Sequence, residues 1–335
     1  MKKMVLKIVL GVVGVLLLLI AIVFVAFQVS PRTGALLISR QFNQPVKITD
    51  QKAYDLAEKK VSIVSDETFK SKHSDHTFDI YYPKNSTKAV PVLVWAHGGG
   101  FVAGDKSGTK EFATRIVADA NIAVVSMNYE VAPSSQYPNQ VIQVGELINQ
   151  LQETKYKMLD LSKLFFGGDS AGGQIALQYA TAQTNPSYAK EIGVEKRLDD
   201  TAIKGAISYC APVDLQQMAS QKTDNKFMKF FIKTVAWSLI GTKKWQEDPR
   251  LFQASLVENV TAAFPPTYIT DGNAYSFQDQ GLALENKLKT LGVSVEGLFY
   301  KGDKKEITHE YQFNYHTEEA KKCYEQTLAF VRTYK

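Results

Sequence analysis

The segment Leu164-Phe165-Phe166-Gly167-Gly168-Asp169-Ser170-Ala171-Gly172-Gly173 limits what this chain can fold into more than any other. An apolar run ends in glycines, G-x-S-x-G spans Gly168, Ser170 and Gly172, and a helix-forming stretch, Gln174-Ile175-Ala176-Leu177-Gln178, follows. A strand that turns sharply into a helix holds its central serine in a strained conformation, and small residues on either side let strand and helix approach closely. Ser170 would then stand at a helix N-terminus, where the partial positive charge favours a developing anion. G-x-S-x-G alone also occurs in ordinary glycine-rich turns. The strand before it and the helix after it are what point to a nucleophile.

From about residue 77 short apolar runs alternate with amphipathic stretches, which predicts a largely parallel sheet flanked by helices. Strands are expected at Phe78–Tyr82, Pro91–Ala96, Ile122–Met127, Leu164–Gly168, Lys204–Cys210, Pro266–Asp271 and Ser294–Tyr300. Helices are expected at Lys110–Ala120, Asn139–Glu153, Ala171–Ala182, Gln280–Leu291 and Glu318–Thr333. One stretch breaks the alternation. Residues 215–262 carry Phe227, Phe230, Phe231, Val235 and Trp237 with Lys226, Lys229 and Lys233 between them, and read as an inserted helical cap. With 45% hydrophobic residues among 335, the chain can bury one large core. Its net charge of +5 comes from scattered lysines and arginines, so no nucleic-acid partner is expected. Cys210 and Cys323 show neither metal-ligand nor redox spacing and read as free thiols.

His97-Gly98-Gly99-Gly100-Phe101 directly follows the strand at Pro91–Ala96. Consecutive glycines after a strand end free backbone N–H groups to point into a cavity, where they stabilise the oxyanion of acyl transfer. A phosphate-binding loop would end in Lys-Ser or Lys-Thr, which is absent. His97 itself reads as a structural hydrogen-bonder. His73 and His76 lie in a polar stretch and read as solvated loop; only His309 and His316 follow Ser170.

These motifs together resemble the hormone-sensitive-lipase-like branch of the α/β-hydrolases, near the bacterial esterases and lipases. The matching residues are His97–Gly100, Gly104-Asp105-Lys106, Asn128-Tyr129-Glu130-Val131-Ala132-Pro133 with Tyr137-Pro138, Gly167–Gly173 and His309–Phe313. The likeness covers about residues 76–335. It implies an α/β-hydrolase fold: a mostly parallel central sheet flanked by helices, with an inserted cap. It also implies a serine carboxylic-ester hydrolase of carboxylesterase or lipase type. Ser170 would attack the carbonyl of a small-molecule ester, and His309, in the H-x-x-x-F pattern, would be the base in preference to His316. The N–H groups of Gly99, Gly100 and Ala171 would hold the oxyanion. No metal or organic cofactor is implied. Glu130 departs from the arginine usual after the tyrosine.

The triad acid is the larger departure. The family reads G-x-x-D-P-L after the strand at Pro266–Asp271; this chain reads Gly272-Asn273-Ala274-Tyr275-Ser276-Phe277, with Tyr275 in the acid's place. Asp271 at the strand end is the first substitute, Asp279 and Asp214 are the others, and a site without a carboxylate stays open. A weakened, binding-only module and an amidase or peptidase on the same fold are the competing functions.

Ile8 to Phe27 is a run of twenty uncharged residues. As a helix it is about 30 Å long, enough to cross a bilayer core. No A-x-A pattern follows it, so an uncleaved single-pass anchor is expected rather than a cleaved signal. Lys2, Lys3 and Lys7 precede it, against Arg32 and Arg40 after it, which favours the N-terminus inside and the large domain outside the cell membrane. The expected organisation is an anchor over 1–30, a juxtamembrane spacer over 31–75 and the hydrolase domain over 76–335. Oligomeric state is left open.

Overall fold

Strand β3, Val90–Ala96, shows why the sheet lies where it does. Leu93 and Trp95 point to one face, Val92, Val94 and Ala96 to the other, and all five are buried. A strand covered on both sides reads as an unbroken apolar run, the mark of a parallel strand between two helical layers. In the computed structural model of the chain, which describes residues 2–199, 201–220 and 223–335, β3 is central to an eight-stranded sheet of order β1-β2-β4-β3-β5-β6-β7-β8. Met1 of the expected anchor and residues 221 and 222 of the expected cap lie outside the described residues.

The other strands are β1 (Val61–Thr68), β2 (Thr77–Pro83), β4 (Ala123–Met127), β5 (Leu159–Asp169), β6 (Ile203–Tyr209), β7 (Thr267–Thr270) and β8 (Val295–Leu298). β1 pairs antiparallel with β2, and β2 antiparallel with β4; every later pairing is parallel. The helices in chain order are α1 (Lys2–Val29), α2 (Arg32–Phe42), α3 (Gln51–Glu58), α4 (Lys110–Ala120), α5 (Asn139–Thr154), α6 (Ser170–Thr184) and α7 (Pro186–Ile192). They continue with α8 (Leu215–Ser220), α9 (Lys226–Ile240), α10 (Arg250–Gln253), α11 (Leu256–Asn259), α12 (Gln278–Thr290) and α13 (Glu318–Tyr334). Helices α4 and α13 cover the sheet face that carries Trp95, while α5, α6 and α12 cover the other. Helices α8 to α11 fill the stretch between β6 and β7. α1 is long and apolar enough to cross a membrane and buries no residue against the rest of the chain.

The stretch expected to be a spacer, 31–75, is where the sequence misleads. It supplies α2, α3 and β1, and β1 is hydrogen-bonded into the sheet. Its sequence, Val-Ser-Ile-Val-Ser-Asp-Glu-Thr, is half polar because it is an edge strand with one face in water. An ion-pair cluster helps to fix it: buried Lys106 Nζ lies 2.6 Å from buried Asp79 and 2.8 Å from the exposed Asp66 of β1. His73 is likewise not solvated. It is buried, its Nδ1 lies 2.9 Å from Glu130 Oε2, and Ser74 donates to the same carboxylate, so the acid that replaced the usual arginine is paired.

Phe112 of α4 is fully buried, with its ring 4.7 Å from Trp95, 5.6 Å from Tyr209 and 6.4 Å from Phe313. Phe112→Ala removes the packing that joins the sheet to the loop after residue 309. We expect it to destabilise the fold by about 3–5 kcal/mol, read as a lowered denaturation midpoint in urea.

Candidate active site

β5 runs straight into α6, and Ser170, the first residue of the helix, has φ +47°. A non-glycine residue in that region is strained. The strain is held by backbone contacts that only glycines allow. A Cβ on Gly168 would stand 2.4 Å from the carbonyl carbon of Gly172, and one on Gly172 would stand 2.1 Å from the Ala96 oxygen. The turn thus lifts the Ser170 side chain out at the end of the sheet, towards the loop that follows β3.

His309 Nε2 lies 3.0 Å from Ser170 Oγ. The loop that carries His309 is laced to the loop after β7: Asn273 and Ala274 donate their N–H groups to Ile307, His309 donates to Ala274, and Asn273 Oδ1 accepts from Ile307. Phe313 anchors its far end against Phe112 and Tyr209. His316 is exposed in the turn before α13 and takes no part.

Of the three candidate acids, the structure brings Asp271 to the imidazole. Its Oδ1 is 3.7 Å from His309 Nδ1. That is an ion-pair distance, about 0.8 Å longer than a usual N–H···O bond, and the Nδ1 has no other partner. Contacts of this kind are often long until a substrate binds. Asp271 is buried and fixed: its two oxygens accept the N–H groups of Gly272 and Phe277, each at 2.7 Å. Asp279 pairs with Lys301 at the surface, and Asp214 accepts from Ser255 and Gln217. Tyr275, in the position the family gives to the acid, is 64% exposed and lines the cavity above the serine.

Burial alone would lower the His309 pKa. The hydrogen-bonding reach and negative charge of Asp271, with the charges of Glu310 and Asp169, outweigh burial and hold it above the ordinary 6.5. His97 is fully buried and its pKa is lowered by that burial. Its ring stacks on Tyr129 at 4.4 Å and its Nδ1 meets the Gly98 carbonyl at 2.7 Å, so it braces the loop from below.

Gly99 (φ +118°) and Gly100 (φ +60°) take backbone conformations suited to glycine. Together with Ala171, Ser170 and His309 they line a cavity of about 410 Å³ whose other walls include Phe42, Phe227, Met228, Phe231 and Phe277. Sequence reasoning missed the support beneath the glycine loop. Asp169 accepts from the Gly98 N–H at 2.7 Å and from Trp95 Nε1 at 2.8 Å. Burial, reinforced by the neighbouring Glu310 charge, raises the Asp169 pKa to about 7 against those two donors. The signal for it lay inside the serine motif, but nothing there said which loop it would hold. Phe42 was also missed, since nothing in its neighbourhood marks it as cavity wall.

Cys210, Asp271 and His309 place ligand-type atoms within 4.8 Å of one another. Burial raises the Cys210 pKa far above its ordinary value, which keeps it a neutral thiol and a poor metal ligand. Cys210 and Cys323 are both free and buried.

Residues 93–309 match the alpha/beta hydrolase fold family. The chain belongs to that family. The likeness to its hormone-sensitive-lipase-like branch, read from the motifs, holds. Among curated relatives, an esterase of Mycobacterium tuberculosis, LipI, is 27% identical over 65% of this chain and 66% of its own length. The versiconal hemiacetal acetate esterase of Dothistroma septosporum is 24% identical over 67% of this chain and 69% of its own. The chain spans about one third to two thirds of the length of the first curated relatives it matches. Among solved structures, esterase B of Lactobacillus rhamnosus superposes with a TM-score of 0.68 at 20% identity, covering 94% of this chain and 93% of that one. A bacterial heroin esterase superposes with a TM-score of 0.66 at 21% identity, covering 85% and 88%. At such identities these structures establish the shared α/β-hydrolase fold.

Asp271 leads the groups that raise the His309 pKa by favouring the imidazolium, so removing its charge leaves burial opposed only by Glu310 and Asp169. In Asp271→Asn the His309 titration, followed by NMR of the ring protons, is expected to move down. A titration that stays where it was would show that the 3.7 Å pair does not act on the base.

Proposed function

We propose that the protein is a membrane-anchored serine carboxylesterase that cleaves short-to-medium acyl esters. Ser170 is the nucleophile, His309 the general base and Asp271 the acid that orients it. The observation that carries this reading is the 3.0 Å contact between His309 Nε2 and Ser170 Oγ at a strained strand-to-helix turn. His309 takes the serine proton as Oγ attacks the ester carbonyl, and the N–H groups of Gly99, Gly100 and Ala171 hold the oxyanion. His309 then gives the proton to the leaving alcohol. Water, deprotonated by His309, releases the acid from the acyl-enzyme. The polar path runs entirely through side chains and backbone of this chain, and no cofactor is part of the proposal.

The relatives named as esterases support ester substrates, although fold alone does not fix them. The apolar walls of the cavity support a hydrocarbon acyl group. Helix α1 supports a single-pass anchor over residues 1–30, and the lysines before it support a hydrolase domain outside the cell membrane. The domain starts by β1, with a cap at about 215–262 joined by α2.

Hydrolysis of p-nitrophenyl acetate through decanoate tests the reading. Ser170→Ala should lose turnover by about 10⁶-fold and Asp271→Asn by about 10⁴-fold, whereas Asp279→Asn and Asp214→Asn should keep it. Because the His309 pKa is raised, the acid limb of kcat/KM should have its midpoint above pH 6.5. No turnover above the Ser170→Ala background on any chain length would leave a binding module or an amidase.

A further inference from the structure

The cavity wall and the end of the apolar helix are the same piece of structure. Phe27, the last residue of the twenty-residue uncharged run, has its ring 6.3 Å from Phe230 of α9. The next residue of α9, Phe231, lines the cavity and packs at 5.9 Å against Phe42, the last residue of α2. α2 lies on α9 through small residues: a Cβ on Gly34 would stand 2.7 Å from the Thr234 methyl and 3.3 Å from the Phe230 ring. A helix rises about 1.5 Å per residue, so the whole roof of the cavity lies within a few turns of the point where α1 leaves hydrocarbon.

The outer side of that roof is apolar where a soluble enzyme would be polar. Leu36 is 52% exposed, Leu37 49% and Phe227 48%. Exposed Arg32 and Arg40 flank the leucines, and Lys226, Lys229 and Lys233 run along α9. Apolar residues with a basic rim are the pattern of a helix that lies in an anionic bilayer surface. Among its described lining the cavity holds no lysine or arginine, and its one carboxylate is that of Glu310. A phosphate headgroup would find repulsion there, whereas an uncharged ester would not.

We propose that the α2–α9 face beds into the bilayer that α1 spans, and that the substrate is an uncharged short-to-medium acyl ester drawn from that bilayer into the cavity past Phe42 and Phe227. This rests on the serine-esterase reading and names the source of its substrate. The covering partner is the lipid surface, because the anchor that continues into α2 holds the face against it.

The test uses the full chain in vesicles of phosphatidylcholine and phosphatidylglycerol, with two substrates: dioctanoylglycerol in the bilayer and dissolved p-nitrophenyl butyrate. Leu36→Asp with Leu37→Asp alters residues outside the cavity. Hydrolysis of dioctanoylglycerol should fall by about tenfold or more, while p-nitrophenyl butyrate turnover stays at the parent level and reports an intact fold. Equal rates on dioctanoylglycerol in parent and variant overturn the proposal. So does a fall in both substrates together. Turnover of p-nitrophenyl butyrate without any of dioctanoylglycerol overturns it and leaves the esterase reading standing; turnover of neither removes both. Independently, Leu37→Trp should gain fluorescence that lipids brominated near the headgroup quench, and an unquenched signal overturns the proposal.

Discussion

Where the first turn of α6 passes under the end of β3, the backbones are so close that a Cβ on Gly172 would stand 2.1 Å from the Ala96 oxygen. The rest of the site depends on that approach. β5 ends at Asp169 and α6 begins at Ser170, so the chain turns with no residue between them, and Ser170 sits at φ +47°. The approach brings the end of β3 beside the end of β5, so the glycine loop after one strand faces the serine after the other. Strain of this kind persists only where packing over-determines it. Here the packing is a sheet buried on both faces and a Trp95 indole that donates to Asp169, the residue before the serine.

Asp169 extends the same constraint. One carboxyl group joins the strand β3 tryptophan to the Gly98 N–H of the glycine loop. A Cβ on Gly98 would stand 2.3 Å from that carboxyl and 2.9 Å from Glu310, so a larger residue there would displace the carboxyl that holds the loop. Burial of that carboxyl, with the nearby Glu310 charge second, raises the Asp169 pKa. The serine and the glycine loop facing it are therefore mounted on a common hydrogen-bonded frame, and the His309 loop is tied beside them through its backbone bonds to residues 273 and 274.

The sheet, the serine, the histidine and the glycine loop were legible in the sequence because each is written in contiguous residues. β3 is an unbroken apolar run, and the turns carry glycines that local geometry demands. The acid was not legible in that way. Tyr275 stands where the family has its carboxylate, and the choice among Asp271, Asp279 and Asp214 depends on how two loops far apart in sequence are laced together. The lacing of residues 273 and 274 to residues 307–309 brings Asp271 near His309. β1 was hidden because an edge strand with one wet face reads as polar spacer, and what holds it, its backbone pairing with β2 and the ion pair of Asp66 with Lys106, lies outside its own sequence. Phe42 was hidden for the same reason: it reaches the cavity through α2 packing on α9, a contact of two segments nearly two hundred residues apart.

The central claim is that Ser170 is a nucleophile activated by His309. Its most direct test is mass spectrometry after treatment with a p-nitrophenyl alkylphosphonate, which transfers its phosphonyl group to an activated serine with loss of p-nitrophenolate. One phosphonyl adduct per chain is expected, located on Ser170 by peptide mapping and absent when His309→Ala is treated in parallel. An adduct on another residue, or none on Ser170, would contradict it.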